Sequence, residues 1–548
     1  MAGWAKAPVE GEAEISSYLR RHSRLIVVSL VIFLSVLLLH LPLLRLPYIW
    51  DEAGYYIPAA RDLFFDGSLI PHSTVSNAHP PLVMAWVALW WRIFGATVLA
   101  TRIAMLMVSS FALTGIFLLA EQIANRAVAI ASTLCVACYS VFFTQSSLLH
   151  VDMAAAAFTF WGLRSYLSGR RVSAVIWFAA AGLAKETAVL APLALAMWEL
   201  LCPLLTRRQG FCFASFNLRK SLLLLASLLP LVLWFAYHYS RTGYVFGNPE
   251  FFRYNVAATL QPVRVLLAAG IRVWQMVGYL HLFLLSGAAA IAMCLPPQND
   301  KGQERRRIDV RVQPVFLAVI VTYVAALSVI GGAELARYLL PVVPLGIIIC
   351  ISTIWRRLPY WKATIAVVAF AFITAWFVNP PYGFSFEDNL AYRDYILLHK
   401  NAAEFLESRY PGATVLTAWP ASDELTHPYL GYVSRARRVV RIEHFAYTEV
   451  ASAGQLRSQF DVALIFSTKY FPPRSLMARW PAWERLQTRY FGFHRDLPPA
   501  AAAQVLGGRL VYTDVRNGQW TAVIELERAV DARRPNRLRQ SSNDKSGF

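Results

Sequence analysis

The sequence predicts a polytopic α-helical membrane protein with a small α/β domain after its last apolar segment. Of the 548 residues, 57% are hydrophobic and only 16% are charged, whereas a soluble domain carries about 25% charged residues. The apolar residues occur in blocks near the length of about 20 residues that crosses a bilayer. We expect about 11 to 13 spans in residues 24–378, after a cytoplasmic N-terminus at 1–23 and before a soluble domain at 379–532.

The first apolar block, residues 25–44, follows Arg20, Arg21 and Arg24. The block is too long for a cleaved signal peptide and lacks a small-residue cleavage site. We therefore interpret it as an uncleaved anchor. The other candidate spans are residues 98–120, 127–143, 153–167, 172–184, 188–205, 221–239, 274–295, 314–330, 335–355 and 363–377.

The net charge of +19 lies largely in short loops between apolar blocks. The positive-inside rule places the basic loops in the cytoplasm, and no nucleic-acid partner is expected because no continuous basic face is predicted. The alternate loops, and everything after residue 377, then face outside. One segment, 80–95, is either a re-entrant helix or a span, so the sequence leaves open whether Asp51 and Asp152 share a face. The basic loops are 164–171, 207–208, 301–311 and 356–362; the outside loops are 145–152, the region of Lys185, 241–255 and 331–337.

Beyond Asn379-Pro380-Pro381 the composition becomes that of a water-soluble domain. An amphipathic pattern predicts a helix at 392–410. Short apolar or alternating runs predict strands. The polar tail at 533–548 is predicted to be disordered. The predicted strands are 414–418, 438–442, 462–466, 510–513 and 521–526.

A pair of carboxylates follows the first apolar block. Asp51 and Glu52 stand in the loop 47–80, between Trp50 and the Tyr55-Tyr56 pair. Partial removal from water at a membrane surface favours a carboxylate that accepts a proton, so the pair is a candidate general base. The alternative is that Asp51 only caps the helix that follows, which is a common position for aspartate.

A series of short motifs occurs in the order seen in the GT-C glycosyltransferases. The chain resembles most closely the branch of the protein O-mannosyltransferases and the aminoarabinose (lipid A) transferases. The resemblance covers roughly residues 25–355, and it departs from the family at His79, where several relatives carry lysine. The motifs are Asp51-Glu52, Pro80-Pro81-Leu82, Arg102 near the start of a span, His150-Val151-Asp152, Gly182-Leu183-Ala184-Lys185-Glu186-Thr187 and Ala336-Arg337-Tyr338-Leu339-Leu340-Pro341.

The resemblance implies transfer of a sugar from a polyprenyl-phosphate donor to an acceptor at the outer membrane face. Direct displacement would invert the anomeric carbon. Asp51 would be the base, and Glu52 would orient it or contact the sugar or a metal. Asp152 would make Asp51 more basic through like-charge proximity, bind a divalent ion with it, or only cap its helix.

The donor phosphate needs positive charge at bilayer depth, where an unpaired ion is costly. Arg337 and Lys185 suit this role, because arginine binds two phosphate oxygens and lysine acts as a point charge. The alternatives are that Arg337 snorkels at a span end and that Lys185 pairs with Glu186. The remaining site predictions are phosphate binding by Arg102 and His79, and sugar stacking by Trp50, Tyr55 and Tyr56, which otherwise serve as interface aromatics.

The expected partners are a polyprenyl-phosphate sugar donor, membrane lipids and a glycan, lipid or protein acceptor. A divalent metal is an open expectation, and no nucleotide cofactor is expected because no Gly-rich nucleotide loop occurs. The rival class is a transporter or flippase of lipid-linked sugars. It would favour mid-span charges and internal repeats, and neither is apparent. We expect an enzyme of the cell envelope, located in the inner (plasma) membrane, with its C-terminal domain periplasmic or extracellular.

Overall fold

The computed structural model of the chain describes residues 10–206, 218–249, 252–253, 256–300, 302–472 and 480–527. Several sequence-based predictions therefore lie wholly or partly outside the described residues. They include the cytoplasmic segment 1–23, whose first nine residues are affected, the basic pair Arg207-Arg208, Lys301 at the start of a basic loop, parts of the outside loop 241–255 and of the soluble domain 379–532, and the tail 533–548.

The N-terminal part is helical. A π-helical turn, Glu52–Tyr56, leads directly into α2, and the 3₁₀ turn Ala336–Leu339 lies between α14 and α15. The helices are α1 (Glu10–His40), α2 (Ile57–Asp66), α3 (Leu82–Phe94), α4 (Val98–Ile123), α5 (Arg126–Cys138), α6 (Ser140–Gln145), α7 (Val151–Leu167), α8 (Arg171–Ala184), α9 (Leu190–Thr206), α10 (Leu218–Ala226), α11 (Leu229–Thr242), α12 (Pro262–Val277), α13 (Leu282–Met293), α14 (Val312–Val329), α15 (Val343–Arg357) and α16 (Trp361–Phe377). Between α13 and α14 the strands β1 (Asn299–Asp300) and β2 (Gln303–Glu304) form a small antiparallel hairpin.

Local sequence signals fix several of these boundaries. Thr97 caps α4, because its hydroxyl accepts a hydrogen bond from the Ala100 amide at 3.2 Å. Asn125 caps α5 in the same way through the Val128 amide at 3.0 Å, as short polar side chains do at helix starts. The pair α10 and α11 is bent by 40°, and Pro230 lies at the break, where proline starts a helix but cannot continue one.

Within the described residues, four helical segments are long and apolar enough to cross a membrane, or five if the bent pair α10–α11 counts as one span. Several other predicted spans form apolar helices of only 10–17 residues, including α5, α8 and α16, and so does the undecided segment 80–95, which forms α3. Helix length and composition therefore do not by themselves give about 11 to 13 spans, and that number stays a prediction. The four long segments are Ser23–Leu43, Val98–Ile123, Pro262–Met293 and Val312–Val329.

The C-terminal part contains the predicted sheet. Strand β3 pairs in parallel with β4 and β5, whereas β7 pairs antiparallel with β5 and β6, so the order is β4-β3-β5-β7-β6. All five strands overlap the segments predicted from sequence. The predicted helix 392–410 is present as α17, which begins and ends one residue earlier. The elements are α17 (Ala391–Arg409), β3 (Val415–Ala418), α18 (Ala421–Thr426), β4 (Val439–Ile442), α19 (Tyr447–Ala453), β5 (Val462–Phe466), α20 (Pro481–Phe491), α21 (Pro499–Leu506), β6 (Gly508–Arg516) and β7 (Gln519–Leu526).

The sheet domain packs against the loop that follows α1. The Tyr48 amide donates to the Leu430 carbonyl at 3.1 Å, and the Trp50 ring meets the Trp419 ring at a centroid distance of 5.2 Å. Gly54 allows this close approach, since a Cβ added there would lie 2.9 Å from the Trp419 indole nitrogen. The sheet domain is therefore packed closely against the loop that follows α1.

Candidate active site

A cavity of about 1560 Å³ lies between the helical part and the sheet domain. Its lining includes Asp51 from the first loop, Lys185 after α8, Tyr338 before α15 and Glu387 after α16. Loops from distant parts of the sequence thus meet in one place. The charge pattern assigned three loops to one face: 145–152, the region of Lys185 and 331–337. These loops meet at this cavity, where Arg337 forms ion pairs with both Asp51 and Asp152.

Asp51 enters the cavity from a strained backbone. The preceding residue, Trp50, has a φ of 48°, a value that non-glycine residues rarely adopt. The π-helical turn that follows is a type of structure frequent at functional sites. Asp51 makes no side-chain hydrogen bond that caps this turn. Its side chain is instead paired with Arg337, so the capping alternative does not describe this structure.

Arg337 is buried among carboxylates. Its guanidinium contacts Asp51 and Glu387, and its Nε lies 3.4 Å from Asp152 Oδ2. Of these acids Asp51 is the most exposed, at 27% of its side chain, against 6% for Glu387 and 2% for Asp152. Asp51 is therefore the most accessible carboxylate of this group. Arg337 is only 2% exposed, so it does not snorkel. It does not line the cavity, and its contact with the donor phosphate stays a prediction.

Lys185 is a buried cation that lines the same cavity as Asp51. Its Nζ lies 2.5 Å from Asp152 Oδ1 and 3.8 Å from the centroid of the Tyr338 ring. The neighbouring Glu186 pairs with His79 Nδ1 at 2.8 Å, so the predicted Lys185–Glu186 pair is not formed. Asp152 thus holds Lys185 rather than capping α7.

Glu52 points away from the cavity into the protein. It is fully buried and paired with Arg102, and it also accepts hydrogen bonds from the amides of Ile49 at 3.2 Å and Leu149 at 2.5 Å. Arg102 further donates to the carbonyls of Pro47 and Ser147 at 3.1 and 3.0 Å. Neither Glu52 nor Arg102 lines the cavity. Each group has its partners inside the fold, and the predicted contacts with sugar and phosphate stay predictions.

The predicted aromatic residues line the cavity in different ways. Tyr55 is partly exposed there, whereas Tyr56 is buried between the rings of His79 and His150 at centroid distances of 5.9 and 6.0 Å. The Trp50 ring stacks on Tyr395 of the sheet domain at 5.5 Å. Tyr55 and Trp50 are thus half-buried at the cavity, and Tyr56 is buried, while sugar stacking by the three stays a prediction.

Sequence reasoning missed a second acidic pair, Glu387-Asp388, which follows the last apolar helix and lines the cavity. Burial raises the pKa of Glu387, and the Arg337 guanidinium opposes this shift. Burial also raises the pKa of Asp388 to about 6, while a hydrogen bond from Tyr279 at 2.6 Å lowers it. The signal was present in the sequence, since this pair follows an apolar segment just as Asp51-Glu52 does.

A divalent metal at Asp51 and Asp152 does not fit this arrangement. The Arg337 guanidinium lies between these carboxylates and Glu387, in the position that a bridging cation would take. Within the described part of the chain, one group of three potential ligands has its ligand atoms within 4.8 Å of one another. It consists of Asp62, Asp66 and His72, which do not line the cavity.

Neither a protein-family model nor a curated protein matches the sequence. Among solved structures, the chain is similar to ArnT from Cupriavidus metallidurans in the apo state, with 14% identity over 93% of this chain and 98% of that chain and a TM-score of 0.49. ArnT bound to undecaprenyl phosphate gives 13% identity, coverage of 92% and 97%, and a TM-score of 0.48. An Archaeoglobus fulgidus oligosaccharyltransferase in complex with Zn and sulfate gives 12% identity, coverage of 91% and 72%, and a TM-score of 0.45.

These enzymes have the GT-C fold, and ArnT is an aminoarabinose transferase, which is the branch that the ordered motifs resemble. At TM-scores below 0.5 and identities of 14% or less, no activity and no residue role is carried over from them to this chain.

Proposed function

We propose that the chain is an integral membrane glycosyltransferase that moves a sugar from a polyprenyl-phosphate donor to an acceptor on the outer face of the membrane. One observation carries this proposal. A partly exposed carboxylate, Asp51, and a buried cation, Lys185, line the same cavity beside apolar helices. A general base and a phosphate-binding cation are the two groups that such a transfer needs.

The reaction is a direct displacement. The acceptor hydroxyl gives its proton to Asp51 while its oxygen attacks the anomeric carbon of the donor sugar. The bond between that carbon and the phosphate oxygen breaks, and the carrier phosphate leaves with the electron pair. Lys185 stabilises the charge that develops on the phosphate, since a fixed cation in a low-dielectric site stabilises developing negative charge strongly. The attack comes from the face opposite the leaving group, so the anomeric carbon is inverted.

Arg337 is proposed to position the base rather than to bind the donor. It fixes Asp51 against Asp152 and Glu387, which leaves Asp51 oriented toward the cavity. Glu52 and Arg102 are proposed to hold the backbone of this loop. The function therefore divides between a group that reacts, Asp51, and groups that keep it in place.

The experiment is mass spectrometry of envelope glycolipids and glycoproteins from a deletion strain. The strain is complemented with the wild-type chain, with Asp51→Asn or with the control Asp309→Asn, whose residue does not line the cavity. We expect a mass increment of one sugar with the wild type and the control, and its absence with Asp51→Asn. Formation of the product at the wild-type level by Asp51→Asn would remove Asp51 as the base.

A further inference from the structure

The cavity continues from Asp51 and Lys185 onto the sheet domain. There its lining comes from the segment after β5 and from the region of α20. At about 1560 Å³ the cavity exceeds the roughly 300–1,000 Å³ of sites for one small ligand, so it has room for a second ligand beside the donor headgroup. The lining residues at this end are Thr468, Lys469, Phe471, Trp483, Phe493 and Arg495.

Lys469 is a half-buried cation without a carboxylate partner. Among the described residues, no carboxylate oxygen lies within 4.0 Å of its amine, whereas the neighbouring Arg495 forms two hydrogen bonds with Glu484 at 2.6 and 2.7 Å. Burial lowers the pKa of Lys469, and Asp496 opposes this shift. A partly desolvated ammonium group of this kind gains from an anion that enters the cavity.

A polar cluster behind Lys469 fixes its position. The Lys469 amine lies 3.2 Å from His494 Nδ1, and the His494 ring stacks on His444 at 4.1 Å. Burial and the nearby charges of Lys469 and His444 lower the pKa of His494 to about 4, so a neutral ring can accept a hydrogen bond from the ammonium group. Asp496 is held by the Thr468 amide at 2.6 Å. The amine is thus oriented by the His494 ring, while the Asp496 carboxylate acts on it only from beyond the distance of an ion pair.

One aromatic ring lies beside the amine, and two further aromatic side chains line the same end of the cavity. The Phe493 ring centroid lies 5.2 Å from Lys469 Nζ, and Phe471 packs against Phe493 at 5.5 Å. Trp483 lines the same end. Flat apolar rings beside a cation suit a sugar that carries a negative group, because the ring faces pack on the sugar carbons while the cation binds the anion.

We propose that this end of the cavity binds the acceptor, and that the acceptor is an anionic saccharide whose phosphate or carboxylate group is bound by Lys469. The proposal rests on the proposed function, since it assigns the second substrate of the same reaction. It also gives the sheet domain a role, which is selection of the acceptor by charge.

Binding is tested on the full-length protein in detergent, by tryptophan fluorescence with three soluble probes: glucose 6-phosphate, glucuronate and neutral methyl glucoside. We expect Lys469→Met to weaken binding of an anionic probe about tenfold, as loss of a charge-assisted hydrogen bond does. Lys469→Arg retains binding, and so does Lys400→Met, a matched change of an exposed lysine on the same domain. The neutral probe distinguishes a charge effect from a general loss of the site.

The phosphate and carboxylate probes show which anion is preferred. Unchanged binding of both in Lys469→Met would overturn the proposal. So would an equal loss in Lys400→Met, or a loss in Lys185→Met in place of Lys469→Met, because the anions would then occupy the predicted donor site. The complemented deletion strain separates the two proposals. If Asp51→Asn forms product while Lys469→Met loses probe binding, the assignment of the base fails and the anion site stands.

Discussion

Asp51 and Glu52 are adjacent in sequence but differ in every structural respect. Glu52 is fully buried, accepts two backbone amides and pairs with Arg102. Asp51 is 27% exposed, pairs with Arg337 and lines the cavity. Successive side chains on a helical turn point about 100° apart, so one carboxylate faces the interior and the other faces the cavity. Glu52 is therefore a structural group, and Asp51 is the candidate reactive group.

The largest expected effect is on the buried member of the pair. Glu52→Gln leaves the Arg102 guanidinium without its counterion, and removal of one partner from a buried ion pair costs about 3–5 kcal/mol. We expect a much lower thermal unfolding temperature in detergent and less folded protein, measured by intrinsic fluorescence. Glu404→Gln, which changes an exposed glutamate of α17, is the control. A wild-type unfolding temperature for Glu52→Gln would contradict the structural role assigned to Glu52.

The acidic pair on the cavity side is expected to respond to pH. Burial raises the pKa of Asp388 from 3.8 to about 6, so the folded protein favours the protonated carboxyl group. The stability that this group contributes is present at low pH and is lost as the pH rises through about 6. Two pKa units correspond to about 3 kcal/mol at most. We expect the unfolding temperature of the wild type to fall more than that of Asp388→Asn between about pH 5 and pH 7.5. Parallel pH profiles for the two proteins would contradict this.

Gly54 tests how the sheet domain supports the Asp51 turn. A Cβ at this position would lie 2.9 Å from the Trp419 indole nitrogen, and overpacking of this kind costs about 1–3 kcal/mol. We expect Gly54→Ala to lower the unfolding temperature, and the smaller ring of Trp419→Phe to restore part of the loss in the double variant. Gly287→Ala, which meets no atom within 4 Å, is the control. Equal unfolding temperatures for both alanine variants would show that the contact between Gly54 and Trp419 is not tightly packed.

Lys185 tests the donor end of the cavity. Lys185→Met removes the cation proposed to bind the donor phosphate, so the apparent KM for the lipid donor is expected to rise about tenfold, with a smaller change in kcat. Lys185→Arg keeps the charge and recovers part of the affinity. Lys362→Met, on an exposed lysine away from the cavity, has no effect. An unchanged KM in Lys185→Met would remove this residue from the donor site.

Much of this arrangement could be predicted from sequence, because hydrophobic patterning is local. The five strands of the sheet domain and α17 follow from apolar runs and amphipathic spacing. Loop charge assigned the loops of Asp152, Lys185 and Arg337 to one face, but it left open whether Asp51 lies on that face. The partners of each charge did not follow, since Arg337 with Glu387 and Glu52 with Arg102 are pairs fifty residues apart that only packing brings together.

The short apolar helices also limited the prediction. Segment 80–95 forms α3, a helix of 13 residues, and hydropathy alone does not show whether a segment of this length crosses a membrane. The ion pairs join Asp51 and Asp152 through Arg337, whereas the membrane face on which they lie stays a prediction.

The most direct measurement compares Asp51→Asn with Glu52→Gln in membranes of the complemented deletion strain, as the rate of product formation per mole of folded protein. We predict that Asp51→Asn reaches the wild-type amount of folded protein with a rate lower by about 10²–10⁴, the usual contribution of a general base. Glu52→Gln is predicted to lose folded protein and to keep most of the rate per folded molecule. A wild-type rate in Asp51→Asn would contradict the assignment of Asp51 as the reactive carboxylate.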